Sequence, residues 1–257
     1  MKANTIDNAI LLIPTFHKRH IYMEEVGRIV NAFFPKEMKR IILSDKELSV
    51  NGFSTLISEK RYWTEILLDG LLMLDADSDY IFLMLEDLVP FDFIDEKILE
   101  NQILLMKKYQ YKKIAFRTYE FGNLNYDFVV DGLNFHKVPD TFLYYCQLQP
   151  ALWNRQYLVE LLKKMINSGV KSPWEFEFFK SEEIHLMSEY KWPNVLGGFI
   201  VDGRVNKKAI NALDDNLLFK PLKDLLTRKF ILEQPKLFFR RLANHLKKKS
   251  RGKSAHA

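Results

Sequence analysis

A single cysteine, Cys146, in 257 residues excludes a disulfide framework and a Cys-rich zinc module, because neither can be built from one thiol. Long apolar runs are missing as well. The best candidate, Tyr80–Phe91, is interrupted by Glu86 and Asp87, so no stretch approaches the ~20 residues that cross a bilayer as a helix. The opening residues carry one early basic group, Lys2, and the apolar stretch Ala9–Pro14 is short with no small-residue cleavage site behind it. That pattern predicts no secretory leader and a reducing, cytoplasmic setting. Also absent are the G-x-x-x-x-G-K-[ST] phosphate loop, G-x-G-x-x-G, G-x-S-x-G and H-E-x-x-H. The nucleoside-triphosphatase, dinucleotide, serine-hydrolase and zincin readings lose their sequence support accordingly. His17 and His20 stand three apart, but without a third ligand nearby they read as surface or packing groups rather than zinc ligands.

What is present is a globular composition: 47% hydrophobic residues, with 20 Phe and 11 Tyr, enough for one large or two small domains. The net charge of +5 is unevenly spread. Residues 220–257 hold twelve Lys/Arg against Asp224 and Glu233, a net of +10, which leaves −5 on residues 1–219. The expected organisation is therefore an acidic body at 1–219 and a basic tail at 220–257. In the tail, a helix over Pro235–Lys249 would put Phe238, Phe239, Leu242 and Leu246 on one stripe with most of the Lys and Arg opposite, and Leu217–Leu232 reads as another helix. Such a face suits an anionic membrane surface, predicting a peripheral association; docking of the same face on the body is the alternative. Nucleic acid is not the expected partner, since no reader motif accompanies the charge.

Within the body, apolar runs alternate with segments of helical period. Ala9–Phe16, Lys39–Ser44, Tyr80–Leu85 and Lys113–Thr118 read as strands; Ile21–Phe34, Glu59–Leu74 and Glu96–Tyr109 read as helices. Crossovers of this length imply an α/β fold with a mostly parallel sheet covered on both faces. Beyond it, Asn125–Val138 and Thr141–Leu148 read as partly antiparallel strands. A helix is expected from about Trp153 to Asn167, another from Pro173, and a strand and turn over Trp192–Val205. Open sheets of this kind bind ligands beyond the carboxyl ends of their strands. Three clusters fall there: Pro14–Arg19, Ser44-Asp45 and Glu86-Asp87. The adjacent carboxylates that end the wholly apolar strand Tyr80-Ile-Phe-Leu-Met-Leu need solvent, a cation or a hydrogen-bond network. A divalent ion held with a pyrophosphate suits them, because Mg²⁺ takes few protein carboxylates and keeps phosphate and water ligands.

Ala9-Ile-Leu-Leu-Ile-Pro-Thr-Phe-His-Lys-Arg19 resembles the opening of family 2-like glycosyltransferases of the GT-A fold, Lys39-Arg-Ile-Ile-Leu-Ser-Asp45 resembles their second strand, and Glu86-Asp87-Leu88 their D-x-D region without the second spaced acid. Gln147-Leu-Gln-Pro-Ala-Leu-Trp-Asn-Arg155 followed by Ser172-Pro-Trp-Glu-Phe-Glu177 is similar to a pair of motifs in bacterial GT-A-like transferases. The resemblance covers most of the body and implies a Rossmann-type, GT-A-like architecture and an enzyme of surface polysaccharide or lipopolysaccharide biosynthesis. A nucleotide-sugar donor would meet Pro14, Thr15, Lys18 or Arg19, Asp45 and Glu86. Asp87 would serve Mg²⁺ or Mn²⁺, and Arg204, in a late glycine-containing loop, would face the leaving diphosphate. A glutamate, Glu175 or Glu177, would act as general base on a hydroxyl of a lipid-linked glycan acceptor and give an inverted product. Ser172 and Glu175 also form a capping-box pattern with Pro173 at the first helical position, which would leave Glu177 the freer of the two. Trp153 and Trp174 read either as acceptor-stacking platforms or as buried aromatics. The competing class is a noncatalytic adaptor that binds a nucleotide or a protein and is anchored by the tail.

Overall fold

The computed structural model describes residues 5–75, 78–117, 128–130, 132–194, 198–201, 204–213 and 217–233. Two compact units divide the chain, Met1–Leu196 and Gly197–Ala257, so the first unit ends ahead of the charge boundary at residue 219. In chain order the first unit contains β1 (Ala9–Thr15), α1 (His20–Phe33), β2 (Lys39–Ser44), β3 (Ser54–Ile57), α2 (Trp63–Met73), β4 (Tyr80–Leu83), α3 (Glu96–Tyr109) and β5 (Lys113–Arg117). There follow β6 (Phe128–Val130), β7 (Leu133–Lys137), β8 (Ala151–Asn154), α4 (Arg155–Asn167), α5 (Pro173–Phe178) and β9 (His185–Lys191).

All nine strands join one sheet in the order β3-β2-β1-β4-β8-β5-β9-β7-β6. The first four are mutually parallel, β5 is parallel to β9, and β7 and β8 run against their neighbours. This is the α/β class expected from the alternation of apolar runs and helical periods. The wholly buried β1 reads as a central parallel strand should, apolar on both faces. Ile10 and Leu12 of β1 join Ile41, Leu43, Ile81 and Leu83 in a core that α2 and α4 cover through Ile66, Leu67, Leu71, Leu158 and Leu161. The alternate residues turn the other way: Phe82 packs edge-on against Phe34, 5.5 Å between ring centroids, and lies 5.6 Å from Trp192. Each such side chain contributes about 1.5–3 kcal/mol on burial, which makes the two-sided sheet the main source of stability.

Polar side chains close the helix ends. Asn154 accepts from the Tyr157 amide at 2.9 Å to start α4, and Asp95 accepts from the Lys97 amide at 2.9 Å to start α3. Gln110, in the left-handed region at φ 59°, ends α3. Arg155 sends Nη2 to the carbonyls of Leu71 and Leu74 at 2.9 and 2.7 Å, satisfying the carboxyl end of α2.

Three expectations change here. Thr141–Leu148 forms turns, not a strand, because its amides serve local bonds, Phe142 to Pro139 and Gln147 to Tyr144, and a bond from Cys146 to the Glu177 carbonyl. Trp153 belongs to β8 rather than to a helix; Ala151–Asn154 fills the gap between β4 and β5, and the helix begins at Arg155. Ser54–Ile57, too short and polar to show a pattern, adds the edge strand β3. The strands expected near 125–138 are β6 and β7, and the part at 125–127 lies outside the described residues.

In the second unit, β10 (Ile200–Val201) and β11 (Arg204–Val205) form an antiparallel pair, followed by α6 (Lys207–Ala212) and a helical stretch at 220–233. That stretch matches the helix expected at Leu217–Leu232. It buries Leu222 and Leu226, whereas Leu217, Ile231 and Leu232 are exposed. The helix expected at Pro235–Lys249 lies outside the described residues.

Packing of α2 on β2 depends on Gly70, where an added Cβ would stand 2.5 and 2.6 Å from the Leu43 methyl groups and 3.0 Å from Leu43 Cγ. Overpacking at such a point costs typically 1–3 kcal/mol, against up to ~1 kcal/mol gained in helix propensity. Gly70→Ala is expected to lower the unfolding free energy by a net of about 1 kcal/mol, read from a lower midpoint in urea; an unchanged or raised midpoint would show that Leu43 has room to yield.

Candidate active site at the carboxyl edge of the sheet

Because β1, β2 and β4 are parallel neighbours, their carboxyl ends deliver Pro14–Arg19, Ser44-Asp45 and Glu86-Asp87 to one edge. Pro14 and Thr15 close β1 and are buried. After Phe16, residues His17–Arg19 make a tight turn in which the Arg19 amide donates to the Phe16 carbonyl at 2.7 Å. The His17 amide and ring Nδ1 both bind Asp45, each at 2.6 Å, and His20 Nε2 lies 2.8 Å from Ser44 Oγ. The two histidines thus tie the turn after β1 to the end of β2, in keeping with the packing role read from the sequence. Burial alone would raise the Asp45 carboxyl, but the hydrogen bonds from His17 outweigh it and hold the group below its ordinary range. Asp45 also borders an open cleft of about 1110 Å³ that continues along Lys46, Ile57, Lys60 and Asp69.

Deeper along the edge, Arg19 Nε stands 3.4 Å from the carboxylate of Glu86. Glu86 is 9% exposed. Its pKa is raised by burial and partly restored by Arg19. Asp87, partly buried, is raised well above the usual carboxylate range, first by desolvation and then by the negative charge of Glu86, with a further contribution from Glu177. Glu177 has been carried here from α5, ninety residues downstream of Asp87 in sequence.

The two glutamates of α5 have parted roles. Glu175 closes the capping box seen in the sequence: its Oε2 accepts from the amides of Lys171 and Ser172, both at 2.8 Å, and from Ser172 Oγ at 2.9 Å. Those bonds, led by the Lys171 amide, lower its pKa, and it faces solvent. Glu177 is half-buried and points back toward the sheet; its Oε1 accepts from the Leu148 amide at 2.9 Å. No other hydrogen bond to its carboxylate forms among the described residues. Burial raises its pKa, opposed by the Leu148 bond and by the charge of Lys113.

Lys113 is the residue that pattern reading missed. Read as the first residue of a strand, after Lys112, it would be expected to reach solvent, yet it is fully buried. Its Nζ donates to the Gln147 carbonyl at 2.7 Å and sits 4.3 Å over the Trp153 ring. Burial lowers its pKa to about 8, opposed by the neighbouring Cys146 and Glu177. Next to it, Gln147 and Gln149 are buried, and neither heteroatom of the Gln147 amide nor Oε1 of Gln149 has a partner among the described residues. Thr15 Oγ1 and Arg19 Nη1 are in the same state. Buried polar atoms of this kind call for water or a ligand.

The remaining candidates divide. Trp153 is fully enclosed, stacked on Tyr157 at 6.2 Å and edge-on to Phe176 at 6.0 Å, so it is a core residue and offers no face to an acceptor. Trp174 is 56% exposed on α5. Exposed aromatics accompany it near Glu177: Phe178 lies 5.1 Å from Tyr144, ring to ring. Lys18 is exposed on the turn after β1, and Arg204 is exposed on β11 of the second unit. Asp202-Gly203 of its loop falls outside the described residues. No three acidic, histidine or cysteine side chains converge as a metal cage among the described residues. Cys146 is buried with its thiol pushed up to about 12, which makes it inert.

No family model matches the sequence, and no curated protein matches it. Among solved structures, the chain is similar to 4-diphosphocytidyl-2C-methyl-D-erythritol synthase from Anaerococcus prevotii, at 16% identity and a TM-score of 0.40, over 71% of this chain and 89% of that one. It is also similar to S. aureus TarS 1-349, at 12% identity and a TM-score of 0.41, over 72% of this chain and 59% of the other. The same fragment in complex with UDP-GlcNAc gives 12% identity and a TM-score of 0.41, with 72% and 57% covered. The chain thus spans less than two thirds of either TarS fragment.

A carboxyl group whose pKa is raised on folding stabilises below its unfolded pKa and loses that contribution as pH rises through the folded value. At neutral pH the raised Asp87 therefore works against the fold. Asp87→Asn is expected to raise the melting temperature at pH 7.5 by about 2–4 °C, the shift that ~1 kcal/mol produces in a domain of this size, with the gain shrinking toward pH 4. A lower melting temperature at pH 7.5 would mean that the charge is satisfied within the chain.

Proposed function

We propose that this chain is a glycosyltransferase of the GT-A type that moves a sugar from a nucleotide-activated donor to a hydroxyl group. The observation that carries the reading is the gathering of Arg19, Glu86, Asp87 and Glu177 at the carboxyl edge of the sheet, beside buried polar atoms that lack partners. The α/β architecture and the motifs that resemble family 2-like enzymes support it.

In this reading the open cleft beside Asp45 receives the nucleoside, and the turn after β1 meets the pyrophosphate through Arg19, whose Nη1 is buried without a partner among the described residues, with Lys18 at the rim. Glu86 holds the Arg19 guanidinium in place. The negative charge of Asp87, under the influence of Glu86 and Glu177, fits a divalent cation. Asp87 would hold Mg²⁺ or Mn²⁺ as a single protein carboxylate, with donor phosphate and water as the other ligands, as Mg²⁺ commonly binds. When bound, the ion neutralises charge on the leaving diphosphate.

Glu177 is the general base. Its raised pKa makes it a stronger proton acceptor than an ordinary carboxylate, and the charge of Lys113 favours its ionised form. The acceptor oxygen attacks the anomeric carbon, the bond from that carbon to the phosphate oxygen breaks, the proton passes to Glu177, and the nucleoside diphosphate leaves. Attack from the face opposite the leaving group gives inversion. Trp174 and Phe178, exposed on the same short helix as Glu177, would receive the acceptor sugar. We assign a lipid-linked glycan as the acceptor, presented at an anionic membrane surface that the basic C-terminal residues engage.

Release of nucleoside diphosphate from a panel of nucleotide sugars, with product detection on added glycolipid, tests the chemistry. Glu177→Gln is expected to lower turnover by about 10²–10⁴-fold, the usual worth of a general base, while Glu175→Gln retains it. The wild-type rate falls as pH drops through the raised pKa of Glu177. Binding without turnover would favour the adaptor class, and equal loss in both variants would remove the base assignment. For the membrane claim, the full chain is expected to pellet with vesicles containing phosphatidylglycerol and a chain ending at residue 219 to stay in the supernatant; equal pelleting would dissociate the tail from membrane binding.

A further inference from the structure

Gln147 occupies the point where three independent tethers meet. Its own carbonyl accepts from Lys113 Nζ, the amide after it binds the Glu177 carboxylate, and the amide before it binds the Glu177 carbonyl. The segment is thereby locked to β5 on one side and to α5 on the other. Yet the Gln147 side chain, 2% exposed, leaves both amide heteroatoms without a partner among the described residues. A buried primary amide left unbonded carries a penalty of about 1–3 kcal/mol, which a bound partner, water or ligand, would relieve. The amide presents one acceptor and two donor hydrogens side by side, a complement to adjacent hydroxyl groups, each of which can donate and accept. Gln149, one residue past Leu148, adds a buried unpartnered Oε1 and hence a second acceptor.

We propose that Gln147, with Gln149 beside it, is the saccharide-recognition element of the site and binds hydroxyl groups of the transferred sugar. This deepens the glycosyltransferase reading and rests on it. The transferred sugar has to lie between the group that receives the acceptor's proton and the groups that hold the diphosphate. Gln147 adjoins the first of these, Glu177, whose charge also reaches Asp87. Lys113 fixes the backbone of this element rather than touching substrate, and is a positioning residue.

The test is a comparison of affinities by calorimetry in the presence of Mg²⁺. The full chain is titrated with UDP-glucose, UDP-N-acetylglucosamine, UDP-galactose and GDP-mannose, and with UDP and GDP alone. For the nucleotide sugar that binds best, the ratio of its Kd to that of its own diphosphate is expected to rise about tenfold in Gln147→Met, while the diphosphate Kd stays within twofold. Gln147→Met is close in size and removes an unbonded amide, so it is expected to melt at or above the wild-type temperature; Gln147→Leu provides a second apolar replacement. An unchanged ratio in both variants would overturn the inference and leave the glycosyltransferase reading standing. A melting temperature well below wild type in both would show that the amide serves the fold, which also overturns it. If the wild-type chain binds none of the six compounds, the glycosyltransferase reading fails and the inference with it.

Discussion

Three carboxyl groups, Glu86, Asp87 and Glu177, are held close enough at one edge of the sheet for their charges to act on one another, and two cations, Arg19 and Lys113, stand against them. Much of the remaining arrangement at this edge follows from that constraint. Like charges withdrawn from water repel more strongly than at the surface, and a fold tolerates them only where rigid elements leave no alternative. Here β4 ends in the first two, the turn after β1 brings Arg19, the start of β5 brings Lys113, and α5 returns the third. The buried, well-packed sheet supplies the stability that this corner gives up.

Burial acts in opposite senses on the two signs of charge. It raises Glu177 and lowers Lys113, bringing two groups with ordinary values near 4.5 and 10.5 closer together, with Lys113 at about 8. Each partly restores the charged form of the other. The outcome is a more basic carboxylate, held by the Leu148 amide, beside a lysine that does not reach solvent. The pair depends on elements far apart in the chain.

Much of the sheet was legible because parallel central strands are apolar on both faces and the helices between them keep a 3.6-residue period. Lys39–Ser44 and Glu96–Tyr109 have the bounds expected of them. So was the capping box at Ser172 and Glu175, which is a local pattern of side chain and backbone. Legibility failed where long-range pairing overrode local preference. Trp153 sits in a four-residue strand that exists because β4 and β5 leave a gap between them, and its indole is enclosed there. Thr141–Leu148 has a strand's composition, but its backbone is engaged by its own turns, by Lys113 and by α5.

By itself the sequence determined the α/β class, the strand-end placement of Arg19, Asp45 and Glu86-Asp87, and the separation of a basic end from an acidic body, since hydrophobic period and charge are properties of the chain read in order. The tertiary structure decided which glutamate of α5 is spent on a helix cap and which faces the sheet. It also decided that Lys113 is buried rather than solvated, and that the buried Gln147 amide has no partner among the described residues. These outcomes turn on which groups are removed from water together, and that is fixed by contacts between residues such as Lys113, Gln147 and Glu177 that no local pattern connects.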